Sequence, residues 1–266
     1  MKLTLEHVNF GYPNFKIQDI NLEFSSGEIV AITGNNGGGK TTMLGIISGL
    51  NKAKKGSVLI DGEPIKKSKA VVGIIFQNPD SQIIFNNVYD DLCFTLKNFA
   101  VPKNEWDARI DEALGEVGML DHKHSEIFTM SAGQKQRIVI ANMLAVHPDI
   151  LIFDESSSYL DTAFKNKFYE LLIRLKKQGK MVIFATNVLE EIAFADRVVF
   201  VSKGKIVFNK PKNEVIDNLQ WFEENEIYVP LKLKLMKKLG IYTGSDDDIF
   251  NAVGNKKWFR FLFCFW

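Results

Sequence analysis

Between an apolar run and a helical pattern the chain reads Gly34-Asn35-Asn36-Gly37-Gly38-Gly39-Lys40-Thr41-Thr42. Glycines at this density leave the backbone free to turn its N–H groups into a concave array, and a helix starting behind them adds its positive end. That is a cradle for phosphate. Lys40 then reaches the β- and γ-phosphates, and Thr41 offers a hydroxyl to Mg²⁺, a hard cation that prefers oxygen ligands. The stretch Glu28 to Thr33 reads as a strand and a helix is expected from about Lys40, so the loop sits where a phosphate-binding loop must sit. This context separates it from a bare glycine-rich turn. The expected ligand is a nucleoside triphosphate with Mg²⁺, contacted by Asn35, Asn36, Gly37, Gly38, Gly39, Lys40, Thr41 and Thr42.

A second constellation answers the first. Ile150-Leu151-Ile152-Phe153 runs directly into Asp154-Glu155, placing two acids at the C-terminal end of a buried strand. Ligands of open α/β sheets bind at that edge. Asp154 can hold Mg²⁺ through water, and Glu155 can orient or deprotonate a water attacking the γ-phosphate. The alternative, acids that merely end a strand, has no counterpart to Lys40.

The elements that must carry these residues are legible in the periodicity. Ile20, Leu22 and Phe24, then Val58 and Ile60 before Asp61-Gly62, alternate as half-buried strands and predict an antiparallel sheet. Continuous apolar runs follow at Ile29 to Ile32, Val71 to Phe76, Ile150 to Phe153, Met181 to Ala185 and Val198 to Val201, as in strands buried on both faces. Helical spacing recurs at Trp106, Ile110, Leu114 and Val117, and again at Phe164, Phe168, Leu171, Leu172 and Leu175 before Gly179. A parallel sheet flanked by helices is the expected class, α/β. Val198 to Phe208, broken at Ser202-Lys203-Gly204-Lys205, reads as a hairpin closing it. Beyond Pro211 the chain is expected to form a small helical extension, 211–266, with helix-like stretches at Val215 to Glu224 and Leu231 to Leu239. It also holds an acidic run, Asp246-Asp247-Asp248, and an aromatic terminus, Trp258 to Trp266.

Composition bounds the function. With 266 residues and 46% hydrophobic content the chain can bury a large core, and 33 basic against 32 acidic residues leave a formal charge of +1. No global field marks a nucleic-acid binder. The two cysteines, Cys93 and Cys264, have neither a disulfide framework's number nor a metal site's spacing, and read as packing residues of a reducing compartment. The charged Met1 to Glu6 start is unlike a secretion signal, and no apolar run approaches the ~20 residues of a membrane span. The expectation is a cytoplasmic protein that meets any membrane through other chains.

A phosphate loop with an acidic strand also fits kinases, GTPases and helicases. Met130-Ser131-Ala132-Gly133-Gln134-Lys135-Gln136-Arg137, upstream of Asp154, narrows the choice: it resembles the ABC signature, Leu-Ser-Gly-Gly-Gln. The resemblance covers residues 1 to about 210. It implies the P-loop ABC-ATPase fold: a RecA-like parallel-sheet core, an N-terminal antiparallel β-subdomain and a helical subdomain at about 80–145. It also implies that Ser131, Ala132, Gly133 and Gln134 act on ATP held by a partner subunit, so that two subunits enclose two ATP molecules. Tyr12 in Phe10-Gly11-Tyr12 matches the residue that stacks on adenine, though a lone tyrosine can equally be core. Gln77 matches the Q-loop residue that touches Mg²⁺ and the attacking water. Ser158, Leu160 and Asp161 match the D-loop at the dimer interface, the favoured reading, although Asp161 could simply cap the next helix.

Within that family, Val72 to Gln82, Asp90-Asp91, Ser131 to Leu144 and Val229-Pro230-Leu231 resemble the ATPase subunits of energy-coupling-factor importers of vitamins and transition-metal ions. The implied partners are a second ABC ATPase, a transmembrane scaffold and a substrate-binding membrane protein, with the ATPases peripheral on the cytoplasmic face. Ile83, Ile84, Phe85 and Phe94 either line a groove for the scaffold's coupling helices or belong to the core. Another ABC transporter and a soluble ABC ATPase of translation or DNA repair are the competing readings; the latter usually carries two cassettes or long coiled coils, which this chain lacks. The sequence departs from the pattern in three places. Thr186-Asn187 stands where the family has Thr-His, Ala132 replaces a signature glycine, and Ser156 replaces proline. Asparagine donates a hydrogen bond but carries no charge that titrates near neutrality. A heterodimer with unequal sites is one consequence; ordinary drift in an active family is the other.

Overall fold

The computed structural model describes residues 1–244 together with 248 and 249. Two sheets are stacked with helices around them. The first is antiparallel, in the order β2-β1-β4-β5, with β1 Lys2–Tyr12, β2 Phe15–Ser25, β4 Lys55–Ile60 and β5 Glu63–Pro64. Alternation sets the register over the first half of β1, where Leu3 faces Phe24 and Ile60 and Leu5 faces Leu22 and Val58, before the pairing shifts beyond Leu5.

The second sheet has the order β10-β9-β3-β8-β7-β6, from β3 Ile29–Thr33, β6 Val72–Ile75, β7 Ile150–Asp154, β8 Met181–Thr186, β9 Arg197–Ser202 and β10 Lys205–Pro211. All but β10 run parallel. Every residue of β3, β7 and β8 is buried, because the strands are covered on both faces. The pleat divides them between two cores. Val30, Ile32, Ile150, Ile152 and Ile183 face the antiparallel sheet and α1 Lys40–Ile47. Ile29, Ala31, Leu151, Phe153, Val182 and Phe184 face the other helices: α2 Val88–Asn98, α3 Trp106–Glu116, α4 Ala132–Ala145 and α5 Thr162–Lys177.

Parallel pairing positions the chemistry. Strands that run the same way end at the same edge, and the register aligns those ends: Thr33 with Thr186, Asp154 with Ala185, Ile75 with Phe153. The loops after β3, β8, β7 and β6 therefore converge, and they carry Lys40, Asn187, Glu155 and Gln77.

After β10 the chain forms α6 Lys212–Asp217, α7 Gln220–Glu224 and α8 Leu231–Leu239. The helix-like stretch Val215 to Glu224 is thus broken in two, at Asn218, whose φ of −111° and ψ of 43° leave the helical region. The break turns Trp221 and Phe222 onto Phe200 of β9, with ring centroids 5.0 and 5.9 Å away. These helices share the core of the parallel sheet through Val215, Ile216, Phe222, Leu233 and Met236. Asp246, Asp247, the aromatic terminus from Trp258 to Trp266 and Cys264 lie outside the described residues. Cys93 is half-buried against the helical core, and burial pushes its thiol pKa up.

Candidate active site

The glycine loop is shaped by contacts that side chains would obstruct. Gly34, at φ +146°, lies against the Val201 carbonyl with no room for a Cβ. Gly39 stands at the N-cap of α1 with φ +110°, a left-handed conformation, and a Cβ there would meet Phe15 Cζ at 2.6 Å. No side chain caps α1 and its first turn holds no acid, so its leading N–H groups and the positive end of its dipole face the cleft. Asn35 helps close the loop by accepting from the Gly38 N–H at 2.9 Å.

Lys40 is buried at 5% exposure and its Nζ donates to the carbonyls of Gly34 at 3.0 Å and Asn35 at 3.4 Å. Burial pulls its pKa down, opposed by the carboxylates of Glu155 and Asp154. Glu155 Oε1 is 3.7 Å away. Glu155 itself has φ +47°, a strained value for a residue with a side chain. Its N–H donates to the Ala185 carbonyl at 3.0 Å. Its carboxylate is held on both sides: Asn187 Nδ2 donates to Oε1 at 2.7 Å and Gln77 Nε2 to Oε2 at 3.2 Å. Asp154 is 3% exposed, and burial raises its pKa although the Thr41 hydroxyl works against the shift. Its Oδ1 has no hydrogen-bond partner among the described residues. Ser156, in the place of proline, buries its hydroxyl against the carbonyls of Ile75 at 3.3 Å and Asp154 at 3.4 Å, so it ties the ends of β6 and β7.

The cleft holds about 220 Å³ and is lined by Tyr12, Phe15, Asn36, Gly37, Gly39, Lys40, Thr41, Thr42 and Glu155. Tyr12 is 52% exposed, edge-on to Phe10 at 5.1 Å, which removes the core alternative for it. Phe15 was not singled out by the sequence, although it is the next aromatic in the same β1–β2 turn. Asn187 and Gln77 are exposed and join the site through Glu155. The four histidines lie elsewhere, beside Asp19, Ser125, Tyr89 and Glu112.

Ser131 to Gln134 do not line this cleft. They begin α4 as a capping box: Ser131 Oγ accepts from the Gln134 N–H at 3.3 Å, and Gln134 Oε1 accepts from the Ser131 N–H at 3.0 Å. Ala132 is exposed, and a Cβ on Gly133 would come to 3.0 Å from the Tyr159 carbonyl. Asp161 caps α5 by accepting from the Phe164 N–H at 2.9 Å, and Arg137 donates to its other oxygen at 2.6 Å. Those two contacts hold its carboxyl below the usual range. Away from the cleft, Ile83 is core, whereas Ile84 and Phe85 are 58% and 43% exposed and Phe94 lies 5.4 Å from the Phe85 ring. Buried Asp91 holds this segment, accepting from the Ile84 and Phe85 N–H groups at 2.8 and 2.9 Å and from Asn142 of α4 at 2.6 Å.

Known proteins match this architecture. The ABC transporter family matches residues 17–158. The energy-coupling factor transporter ATP-binding protein EcfA1 of Thermotoga maritima is 36% identical, over 97% of this chain and 98% of its own. That of Oenococcus oeni is 34% identical over 89% of each. Among solved structures, cbiO1 from Clostridium perfringens, part of the ABC transporter complex cbiONQ, superposes with a TM-score of 0.72 at 30% identity, covering 88% of this chain and 98% of that one. A dimeric ATP-binding cassette in a post-hydrolysis state, bound to ADP and Pi, gives 0.70 at 25% identity, covering 79% and 98%.

Proposed function

Since the chain belongs to the ABC transporter family, among its energy-coupling factor ATP-binding proteins, we propose that it hydrolyses ATP at the Lys40–Glu155 site to power an importer of a vitamin or transition-metal ion. The observation that carries the reading is the Glu155 carboxylate. It is held by Asn187 and Gln77 within 3.7 Å of the phosphate-loop lysine, at the edge where four parallel strands end.

In this reading adenine stacks on Tyr12, with Phe15 beside it, and the phosphates lie over the loop from Asn35 to Thr42 against the free end of α1. Lys40 turns from the Gly34 and Asn35 carbonyls to the β- and γ-phosphates. The orphaned Asp154 Oδ1, the Thr41 hydroxyl and the Gln77 amide oxygen suit a hard cation. Mg²⁺ held there supplies charge neutralisation between the phosphates. Glu155 orients the attacking water and takes its proton, and Gln77 and Asn187 keep its carboxylate aimed. Ser131, Ala132, Gly133 and Gln134 complete the site of a second ATPase subunit across an interface that includes Asp161. Asn187 and Ala132 then fall in opposite composite sites, which favours a heterodimer with unequal sites. Closure on ATP and reopening after hydrolysis move a transmembrane scaffold docked at Ile84 and Phe85, which carries a substrate-binding membrane protein. The transported molecule meets none of these residues. Among the described residues no helix is long and apolar enough to cross a membrane. In this reading the chain is a peripheral subunit on the scaffold's cytoplasmic face.

The test has two arms. Glu155→Gln removes the base and is expected to slow turnover ~10²–10⁴-fold with ATP still bound, the magnitude of general-base catalysis. Normal turnover would remove Glu155 from its role. Purification of the tagged chain from native membranes should bring down a second ATPase with a scaffold and small membrane proteins. A dedicated permease pair would indicate another ABC transporter, and soluble partners alone would overturn transport. A homodimer that hydrolyses ATP vigorously by itself would sink the unequal-site assignment.

A further inference from the structure

Behind Glu155 lies a second carboxylate that the mechanism above does not use. Glu191 sits in the helical turn Leu189–Phe194 and is only 6% exposed. Its Oε1 accepts from Ser157 Oγ at 2.8 Å and its Oε2 from Thr186 Oγ1 at 2.5 Å. The Thr186 oxygen in turn accepts from the Val188 N–H at 2.9 Å. Phe153, Phe168, Phe184 and Tyr169 close over the carboxylate and leave no space for water. Tyr169 is stacked on Phe194 at 3.9 Å, and burial followed by the nearby Glu191 charge drives its phenol pKa up.

The two hydroxyls that Glu191 holds belong to the two catalytic loops. Ser157 follows Glu155 by two positions, and Thr186 directly precedes Asn187. The loops meet in front through the Asn187–Glu155 hydrogen bond at 2.7 Å and behind through Glu191. The front contact is a single bond from an uncharged amide, so its geometry depends on how firmly the backbones are held. A carboxylate buried with neutral donors and with no cation among the described residues is a costly tie where apolar packing would also hold two loops. What apolar packing cannot do is fix both hydroxyls, and with them both backbones, in one orientation.

We propose that Glu191 is a positioning residue for ATP hydrolysis: by accepting from Ser157 and Thr186 at once, it keeps the Asn187 amide on Glu155 and the Glu155 carboxylate aimed at the γ-phosphate. The assignment rests on the reading of Glu155 as the base. Because neither hydroxyl lines the nucleotide cleft, the effect falls on kcat and spares the KM for ATP.

The experiment compares steady-state ATP hydrolysis by the assembled transporter carrying Glu191→Gln, Thr186→Val or Thr186→Ser, with wild type and Glu155→Gln as limits. Glu191→Gln is expected to lower kcat about 10–100-fold, as a ~1 Å misplacement of a catalytic group does, with KM unchanged within about 3-fold. Thr186→Val keeps the side-chain shape and loses the hydroxyl, so it should fall with Glu191→Gln, while Thr186→Ser restores kcat. This pair decides the matter if Glu191→Gln does not fold. Normal kcat in both Glu191→Gln and Thr186→Val, beside an inactive Glu155→Gln, overturns the positioning role alone. Normal kcat in Glu155→Gln overturns the base assignment and the positioning role with it.

Discussion

Replacing Asp154 by asparagine should make the nucleotide-free protein more stable and the nucleotide-bound protein less so. Asp154 is 3% exposed and one of its carboxylate oxygens has no hydrogen-bond partner among the described residues. A buried unsatisfied group costs ~1–3 kcal/mol, and exchanging a charged orphan for a neutral amide recovers the low end, about 1 kcal/mol. For a chain of this size that raises the melting temperature by ~2–4 °C. Mg²⁺ and ATP act in the opposite direction. A ligand at 100 times its Kd stabilises the folded state by ~2.7 kcal/mol, and an amide in place of the metal-binding carboxylate forfeits most of it. The melting curves of wild type and variant should therefore cross: the variant melts higher in chelator and lower in saturating Mg²⁺ and ATP. A third handle is pH. Burial raises the Asp154 pKa, so between its unfolded and folded values the folded state binds the extra proton, and stability falls as pH rises through that window. The advantage of the variant in chelator should close as pH is lowered through the raised value. Differential scanning fluorimetry over both conditions reads all of this. A variant that melts no higher than wild type in chelator, or that keeps the full stabilisation by Mg²⁺ and ATP, would refute the reasoning.

Tyr12→Ala should weaken ATP binding by calorimetry about 5–30-fold, equivalent to ~1–2 kcal/mol of base stacking, while Tyr12→Phe stays near wild type. Gly39→Ala forces a side chain into φ +110° against Phe15, so ATP affinity should drop about 5–30-fold, from ~1–2 kcal/mol of backbone strain in the phosphate cradle. Ser131→Ala removes one half of the capping box on α4 and should lower stability in urea by ~1 kcal/mol, with Ser131→Asp recovering most of it. Because Asp would also place a charge at the partner's γ-phosphate, Ser131→Asp should regain stability without regaining ATPase activity.

Much of the site was legible because its signals are local. The glycines and Lys40 occupy consecutive positions, Asp154-Glu155 ends an unbroken apolar run, and Ser131 stands three residues before Gln134. Each pattern follows from chemistry confined to one turn or one strand end. Phe15 and Glu191 were not legible as functional, and Asp91 was legible only as part of the family resemblance, not by its contacts. Phe15 earns its place by lying over Gly39, twenty-four positions on in the chain, and Asp91 by meeting Asn142 on α4. Glu191 looked like one of two adjacent acids in a helical turn. Its burial depends on Tyr169 and Phe184, and its partners come from two other loops.

The sequence by itself determined the element types, the two sheets' character and the kind of ligand, since hydrophobic periodicity and glycine placement act within a few residues. The tertiary structure alone decided that Asn187 and Gln77 grip opposite oxygens of Glu155, that Asp154 is left with an unpartnered oxygen, and that Glu191 locks the two loops from behind. Those facts depend on strand order, and β3, β8, β7 and β6 become neighbours only when segments as distant in the chain as Val30 and Ile183 pair in one parallel sheet.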